Sequence, residues 1–234
     1  MPRMKFPARN ATGYADRRHA GRVLAERMGG LTLVDPVVFG LARGGVPVAA
    51  EVARALSAPL RVCVARKIGA PTQPELAVGA VTAHGPPSYD EQLVRSFHLD
   101  EATLAAACER ERAEARRREQ VFQLCEPLEL ADRDVVLVDD GLATGATARA
   151  AVRMLRAAGP RRVVLAAPVG APEAVAALRK QADAVVCVLQ PVGFAAVGQW
   201  YRDFAATTDE EILRILREYG QTRSPRRSRP AEDR

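Results

Sequence analysis

The sequence is poor in the residues that hold metals through sulfur or nitrogen. Its 234 residues include four cysteines and three histidines, and none of them forms a CxxC pair or a Cys/His cluster. A structural zinc site and a disulfide framework are therefore not expected. Two of the cysteines lie in the apolar runs RVCVA and VVCVL, where a buried free thiol is typical.

Long apolar runs are also missing. No stretch approaches the eighteen or so consecutive apolar residues of a transmembrane helix. The first ten residues, MPRMKFPARN, contain basic side chains but no apolar segment of the kind that a secretory signal requires. We therefore expect a cytoplasmic protein without a membrane partner.

The net charge of +6 is unevenly distributed. Residues 1–18 carry +4 and residues 220–234 carry +3, which leaves −1 for residues 19–219. We predict an N-terminal arm over residues 1–15 and a disordered basic tail over residues 220–234. Nucleic acid is not an expected partner, because the excess of basic residues that could attract it belongs to the two ends and not to the body.

Between these ends, short apolar runs alternate with helical patterns, which predicts one α/β domain over residues 16–219. Its sheet should be parallel and flanked by helices, with the ligand site at the carboxyl ends of the strands. The predicted strands are Val37–Gly40, Leu60–Ala65, Val135–Val138, Arg162–Pro168 and Ala184–Leu189, with a hairpin at Val78–Thr82 and Ser88–Tyr89. The predicted helices are 16–28, Val46–Leu56, 100–124, Ala146–Ala158 and Pro172–Gln181.

One loop carries most of the functional information. Residues 135–147 read VVLVDDGLATGAT, so that Asp139 and Asp140 follow a buried strand and small residues then lead into a helix. Small residues let backbone N–H groups approach an anion, and the helix N-terminus adds partial positive charge. The pattern is neither a P-loop nor a dinucleotide fingerprint, because the required lysine and glycines are absent. The pattern predicts a binding site for a ligand that carries a phosphate beside vicinal sugar hydroxyls. The alternative is an acidic turn that only caps the helix.

Two other segments at the same sheet edge point to a second anionic group. In GLARGGVPVAAEV, Arg43 supplies a fixed charge while Gly44 permits close backbone approach. Lys67, one of only three lysines, directly follows a predicted strand. The alternative for ARGG is an ordinary glycine-rich turn, and the alternative for Lys67 is a charge that faces solvent.

Together these segments resemble type I phosphoribosyltransferases (PRTases), whose signature for 5-phosphoribosyl 1-pyrophosphate (PRPP) is similar to VVLVDDGLATGAT. The arrangement of ARGG, RKIG and AVG…Y.DF is also similar to uncharacterised phosphoribosyltransferase-domain proteins. The resemblance implies a Rossmann-like α/β fold with a flexible loop, in the place of Pro71–Pro87, and a small C-terminal hood at about residues 190–207. It also implies a homo-oligomer, with a dimer expected.

The resemblance implies a Mg²⁺-dependent transferase that displaces pyrophosphate from PRPP by a nitrogen nucleophile, expected to be a nucleobase in salvage. Mg²⁺ would be held through PRPP, with Asp139 and Asp140 as further candidates. The implied roles are ribose contact and catalysis for Asp139 and Asp140, 5′-phosphate binding for Ala143, Thr144, Gly145, Ala146 and Thr147, pyrophosphate binding for Arg43, Gly44 and Lys67 (also catalytic), and base contact for Phe194.

One position departs from part of the family. Hypoxanthine-type enzymes carry an Asp where this chain has Ala143, so a proton-transfer residue for a 6-oxopurine is absent from the loop. Adenine-type enzymes also have Ala there. Two other hypotheses stay open: a PRPP- or nucleotide-binding regulator with little catalysis, and a phosphate-transfer domain that uses Asp139 or Asp140 as a nucleophile.

Overall fold

A computed structural model describes residues 13–70, 73–122 and 128–223 of the chain. Within these residues there are seven strands and seven α-helices, together with a short 3-10 helix at Val197–Trp200. The strands are β1 (Val37–Ala42), β2 (Leu60–Ala70), β3 (Gln73–Thr82), β4 (Ser88–Tyr89), β5 (Asp134–Val138), β6 (Arg162–Val169) and β7 (Ala184–Leu189). The helices are α1 (Arg17–Met28), α2 (Gly45–Ala55), α3 (Glu91–Ser96), α4 (Glu101–Phe122), α5 (Ala146–Ala157), α6 (Pro172–Leu178) and α7 (Asp209–Arg223).

The strands form one mixed sheet in the order β4-β3-β2-β1-β5-β6-β7. Strands β2, β1, β5, β6 and β7 are adjacent in this order and are mutually parallel. The hairpin strands β3 and β4 add an antiparallel edge beside β2. The predicted α/β fold is confirmed, and the carboxyl ends of β1, β2 and β5 share one edge of the sheet.

Helices cover both faces of the central strands, and successive side chains of a strand point to opposite faces. In β5, Val136 and Val138 pack into the core on the side of α1, α2 and α7. Val135 and Leu137 pack into the core on the side of α5 and α6. This arrangement explains why residues Val135–Val138 of β5 form an unbroken apolar run that stops where Asp139 leaves the sheet.

Some elements differ from their predicted bounds. β2 continues five residues beyond its predicted end at Ala65. Residues Gln73–Thr82, which belong to the stretch predicted as a flexible loop, form strand β3 and pair with β2. The apolar side chains of Val78 and Val81 account for this pairing, since both are buried beside Ile68. Of the stretch Pro71–Pro87, residues 71 and 72 lie outside the described residues.

Helix α7 has no counterpart among the predicted elements. It begins after Thr208, whose side chain accepts a hydrogen bond from the Glu211 amide at 3.2 Å. It ends at Arg223 and so includes residues 220–223 of the predicted tail, while residues 224–234 lie outside the described part of the chain. No helix in the described residues is long and apolar enough to cross a bilayer.

We expect Ile215→Ala to lower the free energy of unfolding by about 3 kcal/mol, because it leaves a cavity where α7 packs on the core. The Ile215 side chain is 1% exposed and belongs to the cluster on the α2 side of the sheet. Urea denaturation measures the change. As a control, Val121→Ala on α4, where the side chain is 41% exposed, should cost less than about 0.5 kcal/mol. Equal costs for the two variants would show that α7 adds nothing to the stability of the core.

Candidate functional site

Most of the predicted site residues lie in the turns after β1 and β5 and in the first turn of α5, whereas Lys67 lies within β2 and Phe194 follows β7. The paired carboxylates of Asp139 and Asp140 are held in place by the sheet itself. The Asp139 amide donates to the Ala166 carbonyl of β6 at 3.1 Å. The Asp140 amide donates to Asp139 Oδ1 at 2.9 Å. The backbone therefore turns immediately after β5 and holds both carboxyl groups at the sheet edge.

An arginine from the start of α1 reaches the second of these carboxylates. Arg17 Nε donates to Asp140 Oδ2 at 2.8 Å, and the two side chains are only 12% and 14% exposed. Arg17 Nη1 donates to the Ala205 carbonyl at 2.6 Å. Its guanidinium also lies 4.0 Å above the centre of the Phe204 ring. Arg17 thus connects α1, the acid pair and the predicted hood.

The sequence did not predict this role of Arg17, which contributes there only one charge to the basic N-terminal end. The contact spans more than a hundred residues of chain, and no local pattern distinguishes Arg17 from Arg18 beside it. Tyr201 was missed for the same reason, although its hydroxyl donates to the Asp140 carbonyl at 2.6 Å. Asp140 is therefore held through its side chain and its backbone.

The electrostatics of the pair follow from its position. Burial raises the pKa of Asp139 well above its ordinary value, and the negative charge of Asp140 raises it further. Burial also raises the pKa of Asp140, while the nearby Arg17 guanidinium opposes that rise. A ligand that brings hydroxyl donors or a cation to these two carboxyl groups would stabilise their charged forms.

The ARGG turn packs directly on the acid pair. A Cβ atom built on Gly44 would lie 2.0 Å from Asp140 Oδ2, and one built on Gly45 would lie 2.5 Å from the Val138 carbonyl oxygen. Only glycine fits at such distances. The turn between β1 and α2 and the turn after β5 therefore form one continuous surface, as their places at the sheet edge predict.

Arg43 precedes these glycines and extends outward. The peptide bond between Ala42 and Arg43 is cis. Arg43 Nη1 lies 3.6 Å from Asp209 Oδ1 of α7, and both side chains are well exposed to solvent. The guanidinium is therefore accessible to an anion at the mouth of the site, with Asp209 as its only charged neighbour within ion-pair distance among the described residues.

The predicted phosphate loop has the backbone that its sequence indicates. Gly145 adopts the left-handed conformation, with φ of 72°, directly before the first residue of α5. A Cβ atom there would also approach Leu178 to 2.8 Å. Thr144 Oγ1 accepts a hydrogen bond of 3.4 Å from the Ala146 amide. The loop thus presents the N-terminus of α5, together with the hydroxyl-bearing side chains predicted to bind an anion.

The base of this loop is anchored to the sheet. The Leu142 amide donates to the Val169 carbonyl at 2.9 Å, and the Ala171 amide donates to the Leu142 carbonyl at 2.8 Å. Leu142 itself is buried. Residues 143–147 therefore project from a rigid support, which favours precise contacts with a ligand.

Lys67 lies near the carboxyl end of β2, and its side chain is exposed. It lines a cavity of about 450 Å³ together with Thr147 of the phosphate loop. The structure thus brings a residue of the predicted 5′-phosphate set and a residue of the predicted pyrophosphate set to one cavity.

Phe194, predicted to contact a base, is half-buried in the segment predicted as the hood. It packs against a cluster that contains Tyr14, Val169 and Tyr201. Tyr14 fixes this cluster, because its hydroxyl donates to the Pro168 carbonyl at 2.8 Å. Packing thus occupies part of the Phe194 side chain, and its contact with a base stays a prediction.

Comparison with known proteins places these features in a family. A model of the family described as "Phosphoribosyl transferase domain" matches residues 17–199. Two relatives from Mycobacterium tuberculosis, one from strain CDC 1551 / Oshkosh and one from strain H37Rv, are each named "Putative phosphoribosyl transferase". Each is 47% identical to this chain over 204 residues. These residues make up 87% of this chain and 46% of each relative. The chain therefore spans about half the length of the curated relatives that it matches.

One solved structure is similar to this chain over almost its whole length, unlike the two curated relatives. The crystal structure of the protein TT1426 from Thermus thermophilus is 46% identical, with a TM-score of 0.76. The match covers 88% of this chain and 99% of that chain.

Proposed function

We propose that this chain, which belongs to the phosphoribosyl transferase domain family, binds PRPP and transfers its 5-phosphoribosyl group to a nitrogen nucleophile. The observation that carries the proposal is the packing of the ARGG turn on the acid pair. At Gly44 the two loops approach so closely that a methyl group would overlap the Asp140 carboxylate. A ligand that bridges both loops would meet carboxylates at its centre and cationic or N–H groups at both ends, which is the pattern of charges that PRPP complements.

The acid pair suits the ribose. One oxygen of each carboxylate is already used, Asp139 Oδ1 by the Asp140 amide and Asp140 Oδ2 by Arg17. The second oxygen of each would accept a hydrogen bond from one of the vicinal ribose hydroxyls. The raised pKa of Asp139 agrees with this role, because the buried carboxylate gains a donor when the sugar binds.

The loop before α5 suits the 5′-phosphate. Residues 143–147 combine small side chains, the left-handed Gly145 and the threonine hydroxyls. Such a loop binds a phosphate through backbone N–H groups and through the partial positive charge of the helix N-terminus. Because Leu142 anchors the loop to β6, the phosphate would fix the position of the sugar relative to the acid pair.

The pyrophosphate arm would then lie towards Arg43, the Gly44 amide and Lys67. Arg43 and Lys67 are both exposed, so an anion can reach them without displacing a buried partner. The arm leaves during the reaction with increased negative charge, and fixed cations stabilise that charge in the transition state.

The residues present also fit a Mg²⁺ ion bound with the substrate. Mg²⁺ is usually held by one or two carboxylates together with substrate phosphates, and Asp139 and Asp140 offer two adjacent carboxylates. Among the described residues there is no group of three or more His, Cys, Asp and Glu side chains that would form a cage by itself. When bound, the ion would neutralise charge on the pyrophosphate.

In the reaction, the bond between the anomeric carbon and the pyrophosphate oxygen breaks, and a bond from that carbon to the acceptor nitrogen forms. The oxygen keeps the bonding electrons and leaves as pyrophosphate, while the acceptor loses a proton. Positive charge develops on the sugar, and the carboxylates of Asp139 and Asp140 would stabilise it.

The acceptor would be a nucleobase that needs no acidic residue from the phosphate loop. Ala143 lacks a group that could exchange a proton with the base, which makes a 6-oxopurine less suitable. A face of Phe194 in the hood is the candidate base contact.

We expect Asp139→Asn and Asp140→Asn each to weaken binding of PRPP with Mg²⁺ by about ten-fold or more, because each removes a charged acceptor of a hydrogen bond. Isothermal titration calorimetry measures the affinity. The matched control is Asp132→Asn, a change of the same kind at an exposed position close in sequence, and it should leave the affinity unchanged. Wild-type protein that fails to bind PRPP would refute the proposed substrate.

Product formation separates an enzyme from a regulator. Pyrophosphate release would be followed across a panel of nucleobases and simple amines with PRPP and Mg²⁺. Release with one acceptor supports the transferase. A chain that binds PRPP but releases no pyrophosphate with any member of the panel would instead support a regulatory protein.

A further inference from the structure

The cavity beside Lys67 is walled by three elements. β2 contributes the residues from Ala65 to Ala70, α5 contributes Thr147, and α4 contributes Arg110 with its neighbours. A volume of about 450 Å³ is in the range of small-molecule sites. None of the sequence motifs predicts a role for α4, whose charged segment ERERAEARRRE is typical of a solvated helix face.

The shape of the sheet creates this cavity. The parallel pairing of β1 with β2 ends where Ala42 lies opposite Val64. Beyond that point, β2 continues to Ala70 and pairs with β3 alone in the described part of the chain. The other edge of β2 is therefore left without a strand neighbour beside the turn that carries Arg43 and Gly44, and unpaired backbone donors at such an edge are available to a ligand.

The charges in the cavity are unbalanced. Lys67 and Arg110 make no ion pair and no side-chain hydrogen bond with any other described residue. Arg66 also lines the cavity, but Glu111 neutralises it at 2.9 Å. Glu111, which also lines the cavity, is the partner of Arg66, so that Lys67 and Arg110 leave the cavity with an excess of positive charge. This excess favours a negatively charged ligand.

Arg110 differs in this respect from the other arginines of α4. Arg112 and Arg116 contact Glu109, each at 3.4 Å. Arg117 and Arg118 contact Glu114 at 2.8 and 2.7 Å. The arginine of α4 that lines the cavity is therefore the one that lacks an ion-pair partner among the described residues.

We propose that Arg110 binds the pyrophosphate arm of PRPP together with Lys67, so that α4 forms a wall of the substrate site. The proposal rests on the proposed function for the identity of the ligand. The two unpaired cations indicate an anionic ligand whatever its identity, and Thr147 places the cavity next to the predicted 5′-phosphate loop. Arg110 would hold an outer phosphoryl group, where a guanidinium can donate two hydrogen bonds to one phosphate.

The test compares three ligands, each titrated calorimetrically with Mg²⁺ into the full chain: inorganic pyrophosphate, ribose 5-phosphate and PRPP. Arg110→Ala should weaken binding of pyrophosphate and of PRPP by about ten-fold or more, and it should leave ribose 5-phosphate within about two-fold. Arg110→Lys keeps the charge and should restore part of the loss. The matched control is Arg117→Ala, which removes one charge from the same helix and should change none of the three affinities.

Several results would overturn the proposal. They are an unchanged pyrophosphate affinity in Arg110→Ala, an equal loss in Arg117→Ala, a loss confined to ribose 5-phosphate, and a failure of the unmodified chain to bind pyrophosphate. Failure of the proposed function looks different. In that case the unmodified chain binds pyrophosphate in an Arg110-dependent manner but does not bind PRPP, so the anion site stands and the substrate is wrong.

Discussion

Gly44→Ala is expected to weaken binding of PRPP with Mg²⁺ at least about a hundred-fold, although it adds only one methyl group. The added Cβ would lie 2.0 Å from Asp140 Oδ2 and 2.6 Å from the carboxyl carbon, where no carbon atom can fit. Either the carboxylate or the turn must therefore move. Hydrogen bonds to charged groups contribute about 1.5–3 kcal/mol each, so a displaced carboxylate and a displaced turn together would weaken binding by about a hundred-fold or more.

Asp140 cannot move away without losing other contacts. Its carboxylate is held by Arg17, and its carbonyl accepts a hydrogen bond from the Tyr201 hydroxyl. The turn is constrained as well, because Gly45 packs against the Val138 carbonyl. The substitution would therefore disturb the acid pair and the predicted pyrophosphate turn together, and we expect a loss of about 1–3 kcal/mol in the free energy of unfolding from overpacking.

The effect does not come from backbone conformation. Gly44 has φ of −62° and ψ of −30°, which any residue adopts. The control is Gly30→Ala, at an exposed glycine whose Cβ would meet no atom within 4 Å. It should leave PRPP affinity unchanged and stability equal or slightly raised. Calorimetric titration and urea denaturation give both quantities, and a Gly44→Ala variant with ordinary affinity would show that the two loops do not form the substrate surface.

The features of the site that the sequence predicted are those that a short stretch of chain determines. The acid pair follows an apolar strand, and the loop after it has the small residues and the threonines that a helix N-terminus needs to hold an anion. These relations hold within a single strand–loop–helix segment. The bounds of α5 were likewise predictable to within one residue, because its apolar face recurs at helical spacing and Gly159 ends it.

The features that were missed depend on contacts between distant segments. Arg17 and Arg110 are two of many arginines, and only the fold shows that one meets Asp140 and the other lines the cavity. Helix α7 is a different case, since Ile212, Ile215 and Tyr219 have helical spacing after a threonine cap. That local signal was available in the sequence, although no helix was predicted over residues 208–219.

The extent of β2 shows a third kind of limit. The sequence predicted an end near Ala65, because the basic residues Arg66 and Lys67 interrupt the apolar run. In the fold, Arg66 is paired with Glu111 of α4 and the strand continues along β3. An ion pair with a distant helix thus allows a charged residue within a strand. The edge of β2 beside the proposed pyrophosphate position is open for a different reason, because its pairing with β1 ends at Val64.

Arg17→Ala should lower the free energy of unfolding by about 3 kcal/mol, because it leaves the largely buried Asp140 carboxylate without its cation. It should also weaken PRPP binding, since Arg17 joins the acid pair to Phe204 and to the Ala205 carbonyl of the predicted hood. Urea denaturation and calorimetric titration measure the two effects. Arg22→Ala, at an exposed position on the same helix, is the control and should change stability by less than about 0.5 kcal/mol.

A double-mutant cycle identifies the origin of the Arg17 effect. In the Asp140→Asn background there is no carboxylate to neutralise, so Arg17→Ala should cost distinctly less than it does in the wild type, with a coupling energy of about 1–3 kcal/mol. Additive costs would contradict the ion pair as the cause and would assign the loss to packing of the guanidinium on the Phe204 ring. In that case Phe204→Leu should reproduce the effect of Arg17→Ala, whereas the ion-pair explanation expects it to leave most of the stability intact because the 2.8 Å contact with Asp140 remains.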